Sequence, residues 1–407
     1  MKRKGKWALP LAAALLITLA GCGDAPLPLM PSEPSGGETP GDAAPAQTED
    51  FALRSAAQLL DPAENSCYSP VSLYLALSMA GTGAAGETQG QIYDVLGAAD
   101  TQQQIASCAA LMETLACDGE ETALYFANSV WTRAGLPMEQ SYLDGLETGF
   151  GAEHFSVDFS KQDANEKMTR WVSRQTRGLL EPEFSHGGDT MEVLLNTIYF
   201  RDSWSEPFSA SATEEGTFTL ADGETRQAPF MHLTREQQAS FCGDYAVASL
   251  ALAGGGEMIF AVPWEGQTLA GVMEQYDLSQ LLGPAREDTY LVEWSVPKFT
   301  VGGEQDLIPM LRALGVTDAF DPYRADFSAA CAEDAYISAV RQGTYLSVDE
   351  KGVEAAAFTE IAKDESAALP STDMVLQMHL DQPFLYGLRG ADGTLLFVGV
   401  CADPEET

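Results

Sequence analysis

The chain has 407 residues, 45% of them hydrophobic, which is enough for one large folded domain or two ordinary ones. This apolar content excludes a chain that is disordered throughout. The 60 Asp and Glu residues against 22 Lys and Arg give a formal charge of −38, so we expect no nucleic acid and no anionic lipid headgroup as partner.

The first 21 residues have the pattern of a signal peptide. Residues 1–6 are basic, and the apolar stretch 7–20 is shorter than the roughly 20 residues that cross a bilayer. It ends in Leu19-Ala20-Gly21-Cys22, which resembles the bacterial lipobox, where the cysteine is diacylated and becomes the first residue. Two acyl chains suffice for stable anchoring. We therefore expect an extracytoplasmic protein, lipid-anchored at Cys22 to a bacterial cell membrane; the alternative is an ordinary signal peptide with a chance cysteine.

Residues 22–48 are rich in proline, glycine, serine and glutamate, and they predict an extended linker before a folded domain over 49–404. Loss of residues 1–21 removes four basic side chains. The 22 Lys and Arg then become 18, and the formal charge falls from −38 to −42.

Helical and strand patterns along the domain predict a mixed fold. Apolar residues at helical spacing predict helices over 51–60, 70–80, 88–96, 102–116, 139–148, 164–178 and 304–314. Strands are predicted over 193–200, 257–263, 290–300, 336–348, 382–388 and 394–401. Because these strands do not alternate regularly with helices, the expected class is α+β with large sheets.

One glycine motif has the spacing of a dinucleotide-binding loop, Gly81-Thr82-Gly83-Ala84-Ala85-Gly86. Such a loop follows a strand and opens a helix. Here Ser69 and Pro70 have the pattern of a helix start, so the glycines end a helix and the nucleotide hypothesis is rejected.

Other catalytic motifs are missing from the sequence. It contains no GxSxG elbow, and none of its histidines lies in an HExxH motif: His154, His186, His232 and His379. The six cysteines beyond Cys22 form no CxxC pair, and burial as small hydrophobic side chains is favoured over any particular disulfide pairing. We therefore predict no enzyme, no cofactor and no metal site.

Several motifs, in this order along the chain, resemble those of the serpin family. Asn65-Ser66-Cys67-Tyr68-Ser69-Pro70-Val71-Ser72 resembles the entry to the family's second helix. Leu195-Asn196-Thr197 through Trp204 resembles its third sheet-A strand, whose tryptophan stands at the breach where the reactive loop inserts. Further matches are Val296-Pro297-Lys298-Phe299, Pro383-Phe384-Leu385-Tyr386 and Leu396-Phe397-Val398-Gly399. The resemblance covers 49–404. It implies about eight or nine helices, three β-sheets and an exposed reactive loop, with breach and family-core residues Asn65, Ser69, Pro70, Ser72, Asn196, Trp204, Pro383 and Phe384.

The stretch Asp349-Glu350-Lys351-Gly352-Val353-Glu354-Ala355-Ala356-Ala357 resembles the hinge of the serpin protease-trapping loop. The resemblance implies suicide inhibition of serine or cysteine proteases. The protease cleaves the loop, and the acyl-enzyme is carried away as the loop inserts into sheet A. A strand entering a sheet needs uncharged side chains at every second position. They are supplied by Val353, Ala355, Ala357, Thr359 and Ile361. Gly352 gives the hinge its backbone freedom.

The reactive bond follows from the hinge glutamate. Counting from Glu350 as in inhibitory serpins places it at Ser366-Ala367, which suits elastase-like, subtilisin-like or cysteine proteases. If the count is off by one residue, Glu365 is the residue before the cut, which suggests a glutamate-specific protease. The stretch from Glu350 to Pro383 is longer than in many relatives, so a cut further along the chain, near Leu369 or Met374, is an alternative. Lys363 and Glu365 fall on the inserting face, so they must reach solvent or insertion stops short.

The sequence departs from the family pattern at two positions, and it contains one cluster of basic residues. Phe358 is bulkier than usual for the family, and Gln342 stands where many members carry a breach histidine. The one basic cluster, Lys167, Arg170, Arg174 and Arg177, is interpreted as a solvated helix face beside Glu166 and Glu181. With the acidic charge, this argues against a heparin-like polyanion partner. We expect a monomer whose partner is the target protease; the alternatives are a non-inhibitory serpin acting as a surface binding module and a lipid-anchored hydrolase.

Overall fold

The computed structural model of the chain describes residues 43–119, 121–264, 266–283, 288–353 and 374–404. Cys22, hinge positions 354–357 and the predicted reactive bond Ser366-Ala367 lie outside these ranges. No helix in the described part is long and apolar enough to cross a membrane.

Nine α-helices lie within the described ranges, and they include all seven predicted ones. Their bounds are α1 Ala43–Leu59, α2 Pro70–Gly83, α3 Gly86–Leu96, α4 Thr101–Leu115, α5 Gln140–Phe150, α6 Gln162–Gln175, α7 Leu269–Gln275, α8 Leu278–Leu281 and α9 Ile308–Leu314. The first begins at Ala43, upstream of the domain start expected at 49.

Helix α2 starts where the sequence predicts. Ser69 caps it by accepting the Ser72 N–H at 3.4 Å, and Pro70 occupies the first turn. The glycines of the supposed nucleotide motif end α2 and begin α3. At Gly81 an added Cβ would lie 2.5 Å from the Tyr93 ring, so this glycine serves close packing of the two helices.

The strands are β1 Ser66–Tyr68, β2 Cys117–Asp118, β3 Ala123–Arg133, β4 Glu153–Val157, β5 Glu192–Ser203, β6 Glu214–Thr219, β7 Thr225–Phe241, β8 Tyr245–Ala251, β9 Glu257–Pro263, β10 Asp288–Pro297, β11 Phe299–Asp306, β12 Arg341–Val348, β13 Gly352–Val353, β14 Val375–His379, β15 Phe384–Arg389 and β16 Leu395–Cys401. The predicted strand at 336 begins only at Arg341. No strand was predicted where the structure has β1–β4, β6–β8, β13 and β14.

The strands form a nine-stranded sheet, β1-β16-β15-β9-β8-β7-β10-β14 with β6 on β7, and a seven-stranded sheet, β11-β12-β13-β5-β3-β2 with β4 on β3. The α+β class is therefore confirmed. In the described ranges the three sheets implied by the family appear as two hydrogen-bonded units. The reason is that β7 pairs in turn with β6, β10 and β8 and joins their strands into one sheet.

Three groups of buried apolar side chains hold the layers together. One lies between the helices and the nine-stranded sheet, and a second fills the space between the two sheets. The third lies under α6, where Met168 and Trp171 pack with Trp131 of β3. Helix α6 therefore covers the outer face of the seven-stranded sheet, which is the sheet that contains the hinge.

Candidate functional site

The hinge begins with a tight turn after β12. Asp349 donates its N–H to the Gly352 carbonyl oxygen at 3.1 Å. Its side-chain Oδ1 accepts the N–H groups of Lys351 at 2.8 Å and Gly352 at 3.3 Å. An aspartate that binds the backbone two and three residues on stabilises such a turn. The chain is thereby reversed from β12 into the short strand β13.

Strand β13 lies between β12 and β5. Val353 pairs with Val348 on one side and with Asp202 on the other, and Gly352 pairs with Ser203. Val353 is 2% exposed and belongs to the apolar core between the sheets. Val353 therefore faces inward, as the alternating pattern predicts, while the later positions of that pattern lie outside the described ranges.

The structure gives a steric reason for glycine at 352. A Cβ added there would lie 2.1 Å from the Asp202 carbonyl oxygen and 2.7 Å from the Ser203 Cα. Gly352 does not have a positive φ. The close approach of two backbones therefore requires glycine at this position.

Trp204, at the end of β5, fixes the hinge turn from the other side. Its indole Nε1 donates to the Asp349 carbonyl oxygen at 2.8 Å, and its backbone N–H donates to the Lys351 carbonyl oxygen at 2.8 Å. Phe208 N–H donates to the Glu350 carbonyl oxygen at 2.9 Å. Each turn residue from 349 to 351 is therefore held by the segment that follows β5.

The Glu350 side chain is 16% exposed and forms an ion pair with Lys298, Nζ to Oε2 2.8 Å. The Thr213 hydroxyl donates to its Oε1 at 2.9 Å. Burial works against ionisation of this carboxyl, but the Lys298 ammonium and the Thr213 hydroxyl outweigh it and hold the pKa of Glu350 below its ordinary value. The hinge glutamate is therefore a charged group tied to other parts of the fold.

The strands β5 and β12 are not paired with each other anywhere along their described lengths, and only the two-residue strand β13 lies between them. An open cavity lies between them, and we call this space the slot. Ile198, Tyr199 and Phe200 line it from β5, and residues 343–347 line it from β12. Val353 lies at the end of the slot nearest the hinge turn, and Thr176, Leu179 and Leu180, which follow α6, also line it. Leu388 and Phe397 of the nine-stranded sheet contribute to the lining as well.

The first turn of α2 ties together the two strands that border the slot. Gln342 of β12 accepts the Ser69 N–H at 2.8 Å and donates to the Ser69 carbonyl oxygen at 2.9 Å. Ser72 donates to Asn196 of β5, whose amide donates to Asn128 of β3 at 2.6 Å. Gln342, which stands where many family members carry a breach histidine, binds the Ser69 backbone at the start of α2 rather than the hinge turn.

The remaining predicted residues lie elsewhere. Asn65 binds the C-terminal segment, donating to the Asp403 carbonyl oxygen at 2.6 Å and accepting the Ala402 and Asp403 N–H groups. Pro383 is buried, and Phe384 is fully buried among aromatic rings, with Phe299 at 5.6 Å between centroids. These three residues hold the fold rather than the hinge.

All six cysteines outside the N-terminal segment are free thiols. Cys67, Cys108, Cys331 and Cys401 are buried, as the sequence favoured, whereas Cys117 and Cys242 are exposed. Burial raises the pKa of the Cys67 thiol to about 11 and that of Cys108 to about 12, which keeps both protonated near neutral pH.

The basic cluster is only partly a solvated face. Lys167 and Arg170 pair with acidic residues of the same helix, Asp163 and Glu166. Arg177 lies beyond the end of α6 and contacts aromatic rings instead.

Sequence reasoning missed several residues of the site, including Thr213, Asp202 and Asn128. Thr213 and Asn128 lie in no recognised motif, and the motif that contains Asp202 does not indicate its contacts, because each acts on a partner far away in the chain: Thr213 and Glu350 are 137 residues apart.

Comparison with known proteins gives consistent matches. Residues 46–404 match the family model described as Serpin (serine protease inhibitor). Serpin-Z1C of Triticum aestivum is 30% identical over 380 residues, which cover 87% of this chain and 94% of that protein. Among solved structures, native Tengpin, a thermophilic serpin, superposes with a TM-score of 0.81 at 23% identity and covers 91% of this chain and 97% of its own. Serpin48 of the insect Tenebrio molitor gives 0.79 at 26% identity, over 90% and 100% of the two chains.

Proposed function

Since this chain belongs to the serpin family, whose members are generally protease inhibitors rather than catalysts, we propose that it inhibits serine endopeptidases, with cysteine endopeptidases as a second target class. The inhibitor is consumed in the reaction. The protease cleaves the loop that follows the hinge, the loop enters the slot between β5 and β12, and the acyl-enzyme is displaced before it is hydrolysed.

The observation that carries this proposal is the position of Val353. It is seated between β12 and β5 at the end of the slot nearest the hinge turn, with its side chain in the core. A chain that continues from Val353 in the same direction enters the slot. The hinge therefore has the start of an inserted strand already in place.

Insertion has a sufficient driving force. A strand between β5 and β12 forms backbone hydrogen bonds along both of its edges and covers the apolar side chains that line the slot. On the order of ten new hydrogen bonds, at about 1 kcal/mol net each, exceed the stability of many domains. This supports a fold that is metastable until the loop is cut.

The direct test is incubation with elastase-like, subtilisin-like and papain-like proteases. The proposal predicts an SDS-stable complex with a serine protease and loss of protease activity in either class. Val353→Arg places a charge in the core at the first step of insertion, so we expect it to convert the inhibitor into a substrate. Val375→Arg is the matched control, because Val375 is 53% exposed on β14. Cleavage of the wild type within 354–373 without complex or inhibition would favour the non-inhibitory binding module.

We also propose that the protein acts at the outer surface of a bacterial membrane, anchored through Cys22 and the linker 22–48. The support is the sequence Leu19-Ala20-Gly21-Cys22 after a short apolar stretch. Incorporation of labelled fatty acid tests it. The wild type should be labelled and partition into detergent, and Cys22→Ser should do neither. Equal partitioning of both would contradict the anchor.

A further inference from the structure

Arg177 has an unusual backbone conformation. Its φ of 53° makes it the only residue other than glycine with a positive φ in the part of the chain that the structure describes. Side chains with a Cβ are disfavoured in this region, and such residues persist only where their surroundings hold them.

The guanidinium of Arg177 lies over two tyrosines. Its Cζ is 4.7 Å from the centroid of the Tyr199 ring and 5.1 Å from that of Tyr125, and Nη2 donates to the Tyr125 hydroxyl at 2.8 Å. The two rings are stacked at 5.8 Å, and the two residues are direct neighbours on β5 and β3. Within the described ranges Arg177 forms no ion pair with a carboxylate, and its direct contacts are the two rings and the Tyr125 hydroxyl, which in turn donates to the Asp118 carboxylate.

The segment that Arg177 fixes covers the slot. Thr176, Leu179 and Leu180 line the cavity on either side of Arg177 in sequence, and Leu180 is 4.0 Å from the position of a Cβ on Gly343 of β12. The Leu180 N–H donates to the Thr176 hydroxyl at 3.2 Å, which keeps the segment compact. A strand can enter the slot at this level only if residues 176–180 move outward.

We propose that Arg177 is a positioning residue that latches segment 176–180 onto the Tyr125–Tyr199 pair and so limits how readily the slot opens. The structural part of this inference is independent of the proposed function, whereas its effect on trapping rests on it. The latch connects the chain after α6 to β5, which borders the slot, and to its neighbour β3, and it must open before Tyr199 can be uncovered.

Amide hydrogen exchange of the peptides that contain Leu179 and Leu180 tests the latch. Arg177→Asn removes the cation and keeps a residue that tolerates a positive φ, so we expect exchange about fivefold faster, the factor for one cation–π contact. Tyr125→Leu should act similarly, and the double variant should be less than additive. Arg174→Asn is the matched control, since Arg174 is exposed on the last turn of α6.

Arg177→Gly separates the latch from simple backbone strain. If strain alone matters, glycine relieves it and exchange becomes slower. The latch predicts faster exchange in this variant too. Unchanged or slower exchange in both folded variants would overturn the inference.

The second readout is inhibition. Arg177→Asn should lower the number of inhibitor molecules consumed for each protease trapped, and it should shorten the lifetime of the active inhibitor on warming. If the wild type traps no protease, the proposed function fails, and the exchange measurement still decides whether the latch exists. Faster exchange with unchanged trapping would overturn only its effect on insertion.

Discussion

Glu350 and Lys298 form an ion pair of 2.8 Å that joins the hinge turn to the link between β10 and β11. The pair connects the turn before β13 with the residue that links β10 of the nine-stranded sheet to β11 of the seven-stranded sheet. Its position makes it a measurable restraint on the hinge.

Glu350→Gln should destabilise the intact protein by about 1 kcal/mol, because the carboxylate charge that pairs with the Lys298 ammonium is lost. Glu350→Lys should cost more, since two ammonium groups then face each other. Chemical denaturation measures both. The double exchange Glu350→Lys with Lys298→Glu should recover part of the loss, and failure to recover any would contradict a role for the pair. Because the folded pKa of Glu350 is lowered, the contribution is present above the ordinary carboxyl pKa and disappears as the pH falls through the lowered one.

Glu192, the first residue of β5, predicts a pH dependence of opposite sign. Its Oε1 accepts the Tyr142 hydroxyl at 2.9 Å, its Oε2 is buried without a hydrogen-bond partner in the described part, and burial raises its pKa to about 7. The folded state therefore binds more protons than the unfolded state between pH 4.5 and about 7. The free energy of unfolding should fall over this window, by on the order of 3 kcal/mol, and the contribution of Glu192 to the slope should disappear above it.

Unfolding measured between pH 5 and 8 tests this prediction. Glu192→Gln should remove this part of the slope, while Glu147→Gln, on the exposed face of α5, should keep it. Cys331 is the other titratable group near Tyr142, so Cys331→Ser should also keep the slope. An identical slope in wild type and Glu192→Gln would contradict the assignment.

The two hydrogen bonds between Gln342 and Ser69 predict that a conservative substitution at Gln342 lowers the stability of the protein strongly. Gln342→Glu keeps the shape but removes the donor to the Ser69 carbonyl oxygen and buries a charge, so we expect a loss of about 2–4 kcal/mol. Thermal unfolding measures it. Gln238→Glu, on an exposed position of β7, is the matched control. Equal effects of the two substitutions would show that the α2 contact does not stabilise the sheet.

Gly352→Ala tests the close approach of the hinge to β5. The added methyl would overlap the Asp202 carbonyl oxygen, so β13 must shift, at a cost of about 1–3 kcal/mol. Gly343→Ala is the control, since a Cβ there meets only Leu180 at 4.0 Å. Amide exchange at Val353 should increase in the first variant and stay constant in the second. Unchanged exchange in Gly352→Ala would contradict the contact.

The local features of the site follow from the sequence. The Ser69 cap and Pro70 predict the start of α2, and the uncharged residue at 353 predicts an inward side chain. Contacts between residues that are distant in the chain could not be predicted from the sequence. Gln342 and Ser69 lie 273 residues apart, and nothing in either segment indicates that they meet.

Strand β7 was missed for a related reason. Its second half carries Arg235, Glu236, Gln237 and Gln238, which have low strand propensity and little apolar alternation. Pairing with β10 and β8 on its two sides forms the strand in spite of these residues. The same distant pairing explains why a count of strand patterns could not predict that the strands merge into two sheets.

The stability of the protein before and after cleavage within 354–373 tests the central claim most directly. If the chain beyond Val353 enters the slot, the cleaved protein should unfold at a much higher denaturant concentration, with a gain on the order of ten kcal/mol. Val353→Arg should abolish that gain. Equal stability of the intact and cleaved wild type would contradict insertion and, with it, trapping by this loop.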